Sequence, residues 1–278
     1  MKKLIQKLIR SMGYEIHRHN VKVNLASGAE RGSVEGSLAQ VQALGFMPKT
    51  VIDVGAAIGS FARTCYAIFP QAQYMLLEPL EEYVPSLKQV VNAIPRAAYE
   101  IAVAAANEGT VPLNVHEDLV GSSLYRESEE GASVNGVRRE VRSLTLDRLI
   151  VERSLRPPYL VKIDVQGAEL DVLRGGQAML SGAEYVLLEV SLFQFFQNGP
   201  LFCDVVSYME SKGFVPYDII GPQYRPLDWA LSQVDVVFVK ESGMFRQRHY
   251  YATPEQRREQ NQQIRSYLQS LLSSKGMS

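Results

Sequence analysis

From Thr50 onward, short apolar runs alternate with stretches whose apolar residues recur at helical spacing. That alternation restricts the chain to a mostly parallel sheet with helices on both faces. The strand-like runs are TVIDV (50–54), QYMLLEP (73–79), YEIAVAAA (99–106), YLVKIDV (159–165) and EYVLLEV (184–190). Helices are predicted up to about Phe69, from Leu87 to Asn92, over AELDVLRGGQAML (168–180) and over LFCDVVSYMESKG (201–213). Two further strands, FVPYDII (214–220) and VDVVFVK (234–240), are joined by GPQYRPLDWALSQ with no helical segment, so they are expected to pair antiparallel at an edge of the sheet. The pieces between Gly109 and Ser143 are polar and β-prone and read as an insertion of short strands and loops.

The 278 residues are therefore expected to divide into an N-terminal cap region (1–45), a main domain (46–241) carrying the β-rich insertion (109–143), and a polar helical tail (242–278). Residues 1–20 place Leu4, Ile5, Leu8, Ile9 and Met12 on one helical face and Lys2, Lys3, Lys7 and Arg10 on the other. Such a helix either docks on the body or makes a peripheral contact with an anionic membrane surface. Charge is uneven: the two termini are basic, which leaves the middle at about −10 although the whole chain carries −1. An acidic centre argues against a nucleic-acid partner. Cys65 and Cys203 are far apart and lack metal-ligand spacing. With no signal-peptide pattern and no long apolar run, the expected location is cytoplasmic, with the inner membrane surface as the place for any peripheral contact.

The junction VIDVGAAIGSF fixes where a ligand would sit. A buried strand ends in Asp53 and then loses its side chains at Gly55, Ala56, Ala57 and Gly59 before a helix begins. Small residues at the carboxyl end of such a strand let a ligand approach the backbone and the helix N-terminus. The dinucleotide pattern G-x-G-x-x-G/A fits poorly, because Ala57 and Ser60 occupy its later positions. Glu78, 19 residues after Gly59 at the end of the second strand, stands where a carboxylate accepts both ribose hydroxyls of a nucleoside. Asp53 and the acidic surroundings favour a nucleoside with a cationic tail over a pyrophosphate, the charge pattern of S-adenosylmethionine.

VIDVGAAIGSF, LLEP, AVAAANEGTVPLNV, GSSL, RSLTLDRLI and LVKIDVQGAELDVLRGG occur in that order. Together they resemble the FkbM-type family of S-adenosylmethionine-dependent O-methyltransferases over roughly Thr50 to Val239. The resemblance implies a Rossmann-like class I methyltransferase fold, α/β, with a seven-stranded sheet of order 3-2-1-4-5-7-6 and an antiparallel last strand. It also implies that Asp53, Gly55 and Gly59 cradle the methionine portion, that Glu78 binds the ribose, and that Ala102 and Val103 flank the adenine. The family often has Asn where this chain has Ala57, so a side-chain bond to the cofactor is missing there while backbone contact is expected to remain. S-adenosyl-L-homocysteine would be the product.

An alcohol acceptor needs a general base or a metal that lowers its pKa. KIDVQGAE supplies Asp164 and Glu169 where the fourth strand meets its helix, and LLEVS supplies Glu189 at the end of the fifth. Asp164 is read as the base and Glu189 as the group orienting the hydroxyl, with no metal. A competing reading has the pair help to hold a hard divalent cation such as Mg²⁺. Glu169 either reaches the cleft or serves its helix's first turn. His116 is a weaker alternative base, and Phe193, Phe195 and Phe196 either cover the site or pack on the sheet rim. The expected acceptor is a saccharide, a lipid-linked glycan or a secondary metabolite. Two other classes compete: a nicotinamide-dependent oxidoreductase on a related sheet, and a non-catalytic adenosyl-ligand scaffold.

Overall fold

The structure, a computed structural model, describes residues 28–129 and 131–275. The expected helix and membrane contact of residues 1–20 therefore lie outside the described residues. Helix α1 (Val34–Ala43) starts at Ser33, whose hydroxyl accepts the N–H of Gly36 at 3.1 Å and so caps the first turn. There follow β1 (Thr50–Val54), α2 (Ser60–Ile68), β2 (Gln73–Glu78), α3 (Val84–Ala93), β3 (Ala97–Ile101), β4 (Val103–Ala104) and β5 (Gly109–Val115). Next come a single helical turn α4 (Ala132–Asn135), β6 (Val137–Leu144), α5 (Leu146–Glu152), β7 (Tyr159–Ile163), α6 (Glu169–Arg174) and α7 (Gln177–Gly182). The chain closes with β8 (Ala183–Ser191), α8 (Phe202–Ser211), β9 (Phe214–Tyr224), β10 (Leu231–Lys240) and α9 (Pro254–Lys275).

Seven strands form one sheet in the order β3-β2-β1-β7-β8-β10-β9. Counting only those strands along the chain, this is 3-2-1-4-5-7-6, the order expected above. The ladders β3-β2, β2-β1, β1-β7 and β7-β8 are parallel, and β10 runs antiparallel to both of its neighbours, β8 and β9. Strand β9 thus points the same way as β8, and the β9–β10 turn lies at the carboxyl edge, where β1, β2 and β7 also end. Pleating sends alternate residues to opposite faces. Ile52, Val161, Ile163, Val186 and Leu188 pack with Leu146, Val172, Met179 and Val205 of α5 to α8. Val51, Leu160, Tyr185, Leu187 and Val237 pack with Leu38, Cys65, Leu87 and Val90 of α1 to α3. Each such side chain removed from water contributes roughly 1.5–3 kcal/mol before ordering entropy is subtracted.

Three local departures from the sequence reading bear on the site. YEIAVAAA is not one strand: it ends in the main sheet at Ile101, and Val103–Ala104 pairs instead with β6 in a second sheet of order β4-β6-β5. This turns the 109–144 segment over the carboxyl edge. The helix expected over 168–180 is two, the first ending at Gly175 and the second starting from Gly176, and a Cβ on Gly175 would lie 2.1 Å from the Ala105 carbonyl oxygen, so the chain passes there only without a side chain. Most of GPQYRPLDWALSQ belongs to the extended strands β9 and β10, leaving only residues 225–230 as their turn.

Candidate active site

At the carboxyl edge the β1–α2 bend, the β2 end, the β3–β4 link and the β7 loop surround one cleft. Its walls include Gly55, Ala57, Glu78, Ala102, Val103, Asp164 and Gln166, and it is closed by Leu113 of β5 and by Leu119, Ser122 and Leu124 of the loop that follows. The bend is made by left-handed backbone at Gly55 (φ 73°), Ala57 (φ 46°) and Gly59 (φ 78°). A Cβ on Gly55 would come within 1.9 Å of the Asp164 carbonyl oxygen, so β1 and the β7 loop can meet only at a residue without a side chain. Gly55→Ala is therefore expected to lower stability by about 2–4 kcal/mol, read as a fall in urea midpoint at unchanged slope.

Glu78 is 4% exposed, and its two carboxylate oxygens accept the N–H groups of Ala57 (2.8 Å) and Leu80 (3.0 Å). Burial raises its pKa, and those two amides pull it back. Each oxygen keeps a second lone pair for a ligand hydroxyl. The Ala57 N–H is thus given to Glu78, and Ala57 both lines the cleft and orients the carboxylate. Gly59 does not line the cleft. A Cβ there would meet Val90 Cγ2 at 2.5 Å, so it permits α2 to pack on α3. Asp53 lies beneath the bend, 1% exposed, outside the cleft lining. Its nearest cation, Lys162 Nζ, stands 3.7 Å from Oδ1, and neither oxygen accepts a hydrogen bond. Burial pushes its pKa up to about 6 against the pull of Lys162.

Lys162 links the bend to the candidate base. Its ammonium donates to the Gly55 carbonyl at 2.7 Å and lies 3.2 Å from Asp164 Oδ2. Burial works against its charge, but Asp53 and Asp164 outweigh that and raise its pKa. The other oxygen of Asp164 accepts from Gln166 Nε2 at 3.0 Å, so the carboxylate is held on both sides while its side chain stays 33% exposed. Gln166 Nε2 also donates to Glu189 (2.9 Å), which accepts from Gln223 (2.8 Å) and Gln233 (3.0 Å) as well. Asp235 sits directly across the ladder from Glu189. Burial, then Asp164 and Asp235, drive Glu189 up to about 8, with the Gln223 N–H opposing. Asp164 and Glu189 are thus brought together through Gln166.

Glu169 does not reach the cleft. It is 4% exposed, accepts the Gly167 N–H at 2.9 Å, and is raised to about 7 by burial, opposed by backbone N–H bonds. It belongs to the helix's first turn. An acid raised from 4.5 to about 7 favours folding below its unfolded pKa, and that contribution is lost as pH rises to about 7. Glu169→Gln should therefore flatten the dependence of Tm on pH across that window while leaving turnover within about threefold.

His116 stands apart from the cleft, its Nε2 3.4 Å from Glu127 Oε1. Phe196 packs on Gly167, and Phe193 lies under the Arg225 guanidinium at 3.8 Å, so both serve the rim. Among the described residues no three His, Cys, Asp or Glu side chains converge as a metal ion would require. The glutamines at 166, 223 and 233 and Asp235 were not singled out from sequence. Neutral amides carry no charge signal, and only the antiparallel register brings Gln233 and Asp235 beside Glu189.

A 3-2-1-4-5-7-6 sheet with its last strand antiparallel, and a cleft over the carboxyl ends of its first strands, is the Rossmann-like class I methyltransferase architecture. The chain belongs to the family of the methyltransferase FkbM domain, whose model matches residues 53–216. It is similar to the 2-O-methyltransferase NoeI of Sinorhizobium fredii, 27% identical over 153 residues covering 51% of this chain and 63% of that protein. It is also similar to the hexuronic acid methyltransferase AglP of Haloferax volcanii, 23% identical over 139 residues covering 50% of this chain and 54% of that one. The chain thus spans less than two thirds of the length of either curated relative. Among solved structures it resembles a methyltransferase FkbM from Methylobacillus flagellatus KT, with 17% identity and a TM-score of 0.43 over 68% of this chain and 43% of that chain.

Proposed function

We propose that the chain moves a methyl group from S-adenosylmethionine to a hydroxyl of a saccharide, with Asp164 as general base. The observation that carries this reading is one cleft wall holding Glu78 and Asp164 together, with small and apolar residues between them. Those residues fit the cofactor. Ala102, Val103 and Leu113 offer apolar surface for a base, and Glu78 offers a second lone pair on each oxygen for a diol. The bend at Gly55 lets the tail lie against backbone beside acidic groups. The names of the two relatives, a 2-O-methyltransferase and a hexuronic acid methyltransferase, favour an oxygen acceptor on a sugar.

Bound S-adenosylmethionine supplies a methyl carbon already activated by its sulfonium. The chain must then align the hydroxyl and take its proton. Asp164 takes that proton. Lys162 and Gln166 fix its two oxygens so that the carboxylate need not reorganise. Glu189, kept in place by three amides, accepts or donates a bond to a neighbouring hydroxyl. The reading is tested by calorimetry of the full chain with S-adenosylhomocysteine and with NAD, followed by transfer of a labelled methyl group to sugar acceptors. Binding of the first compound only, with label appearing in sugar, is expected. Binding of NAD instead would overturn it.

A further inference from the structure

The turn between β9 and β10 (225–230) rises from the carboxyl edge beyond the paired residues Gln223 and Gln233, both of which donate to Glu189. It is a built turn. Arg225 N–H donates to the Ala230 carbonyl and Trp229 N–H to that of Arg225, both at 3.0 Å. The Arg225 guanidinium grips Asp228 through two bonds of 2.8 and 2.6 Å and lies over the Phe193 ring, fastening the turn to the loop after β8. At its crest Leu227 is 83% and Trp229 78% exposed. Trp229 has left-handed backbone (φ 62°), a conformation that costs a bulky residue free energy and persists where the surroundings enforce it. A large apolar ring thus stands in water on a hydrogen-bonded turn whose strands carry the amides of Gln223 and Gln233 and, across the ladder, meet Glu189.

We propose that this crest is an acceptor subsite for a neutral sugar ring adjoining the one that is methylated, with the Trp229 indole as its stacking face. The inference rests on the methyltransferase reading above and deepens it. A sugar ring has an apolar C–H face and a polar rim, so it matches an aromatic plane beside amide donors and acceptors. Charge selects the kind of sugar. Asp164, Glu189 and Asp235 follow one another across β7, β8 and β10 from the cleft wall toward the turn, Arg225 is already paired with Asp228, and Lys162 is buried beside Asp53 and Asp164. At the crest a uronate would meet these carboxyl groups, and Arg225, the one cation among residues 225–230, is held by Asp228. The same lack of an unpaired cation at the crest disfavours an anionic lipid surface.

Trp229 is the one tryptophan in the chain, so its fluorescence reports on this surface alone. The full-length protein, held with S-adenosylhomocysteine, is titrated with chitotetraose, cellotetraose and maltotetraose, with tetragalacturonate, and with vesicles of equal parts phosphatidylcholine and phosphatidylglycerol. A saturable blue shift with a neutral tetrasaccharide and none with tetragalacturonate is expected. By calorimetry, Trp229→Ala and Trp229→Gly should weaken that sugar at least about tenfold, Trp229→Phe should retain most of the affinity, and S-adenosylhomocysteine should bind all variants alike. No shift with any neutral sugar, equal sugar binding by Trp229→Ala, preference for the uronate, or a shift with vesicles alone would overturn the subsite. Failure of S-adenosylhomocysteine to bind the unaltered protein would instead overturn the methyltransferase reading.

Discussion

Asp164→Asn is expected to lower kcat by roughly 10²–10⁴-fold while leaving the dissociation constant for S-adenosylhomocysteine within about twofold. The substitution keeps the size and shape of the side chain. One oxygen still accepts from Gln166, and the cost falls on the Lys162 side, where an amide replaces a carboxylate 3.2 Å from the ammonium. Lys162 keeps its bond to the Gly55 carbonyl and its approach to Asp53, so the cofactor bend should stand. What disappears is the ability to take a proton. An equal loss in kcat and kcat/KM, with sugar affinity intact, would mark an interaction made in the transition state. Unchanged kcat in Asp164→Asn would remove Asp164 as the base and turn attention to Glu189, which Gln166 joins to it.

The parts of this architecture that could be read from sequence are those whose physics is local. Strands β1, β2, β7 and β8 are apolar runs buried on both faces, and each has an acid at its carboxyl end: Asp53, Glu78, Asp164 and Glu189. Those marks place Glu78, Asp164 and Glu189 at the carboxyl edge of the sheet, where the structure has them. They did not show which way each carboxylate turns. Asp53 and Glu169 occupy equally suggestive positions, yet one is sealed beneath the bend and the other faces its own helix turn. Gly59 looked like part of the ligand cradle, but its demand comes from Val90, 31 residues away. Long-range contacts also decided the split at Gly175–Gly176 and the glutamine cluster on Glu189. Each depends on a partner brought up by the sheet register, information absent from any short window.

Glu78→Ala should weaken S-adenosylhomocysteine binding on the order of a hundredfold and lower thermal stability as well. Two separate losses meet in this one side chain. The ligand loses an acceptor for its diol, a charge-assisted interaction worth about 1.5–3 kcal/mol. The protein loses the acceptor for the Ala57 and Leu80 amides, which hold the bend and the β2 end in place. Leaving those N–H groups unpaired costs about 1–3 kcal/mol each unless water enters. Glu78→Gln separates the two. Its amide oxygen can keep one backbone bond, so folding should recover most of the way, while a neutral group grips the diol less strongly and an NH₂ opposes the second amide. Affinity should therefore fall by about tenfold in Glu78→Gln and further in Glu78→Ala, with turnover at saturating S-adenosylmethionine near that of the unaltered protein. If both variants bind S-adenosylhomocysteine normally, Glu78 serves only the bend, and the ribose must be held from elsewhere in the cleft.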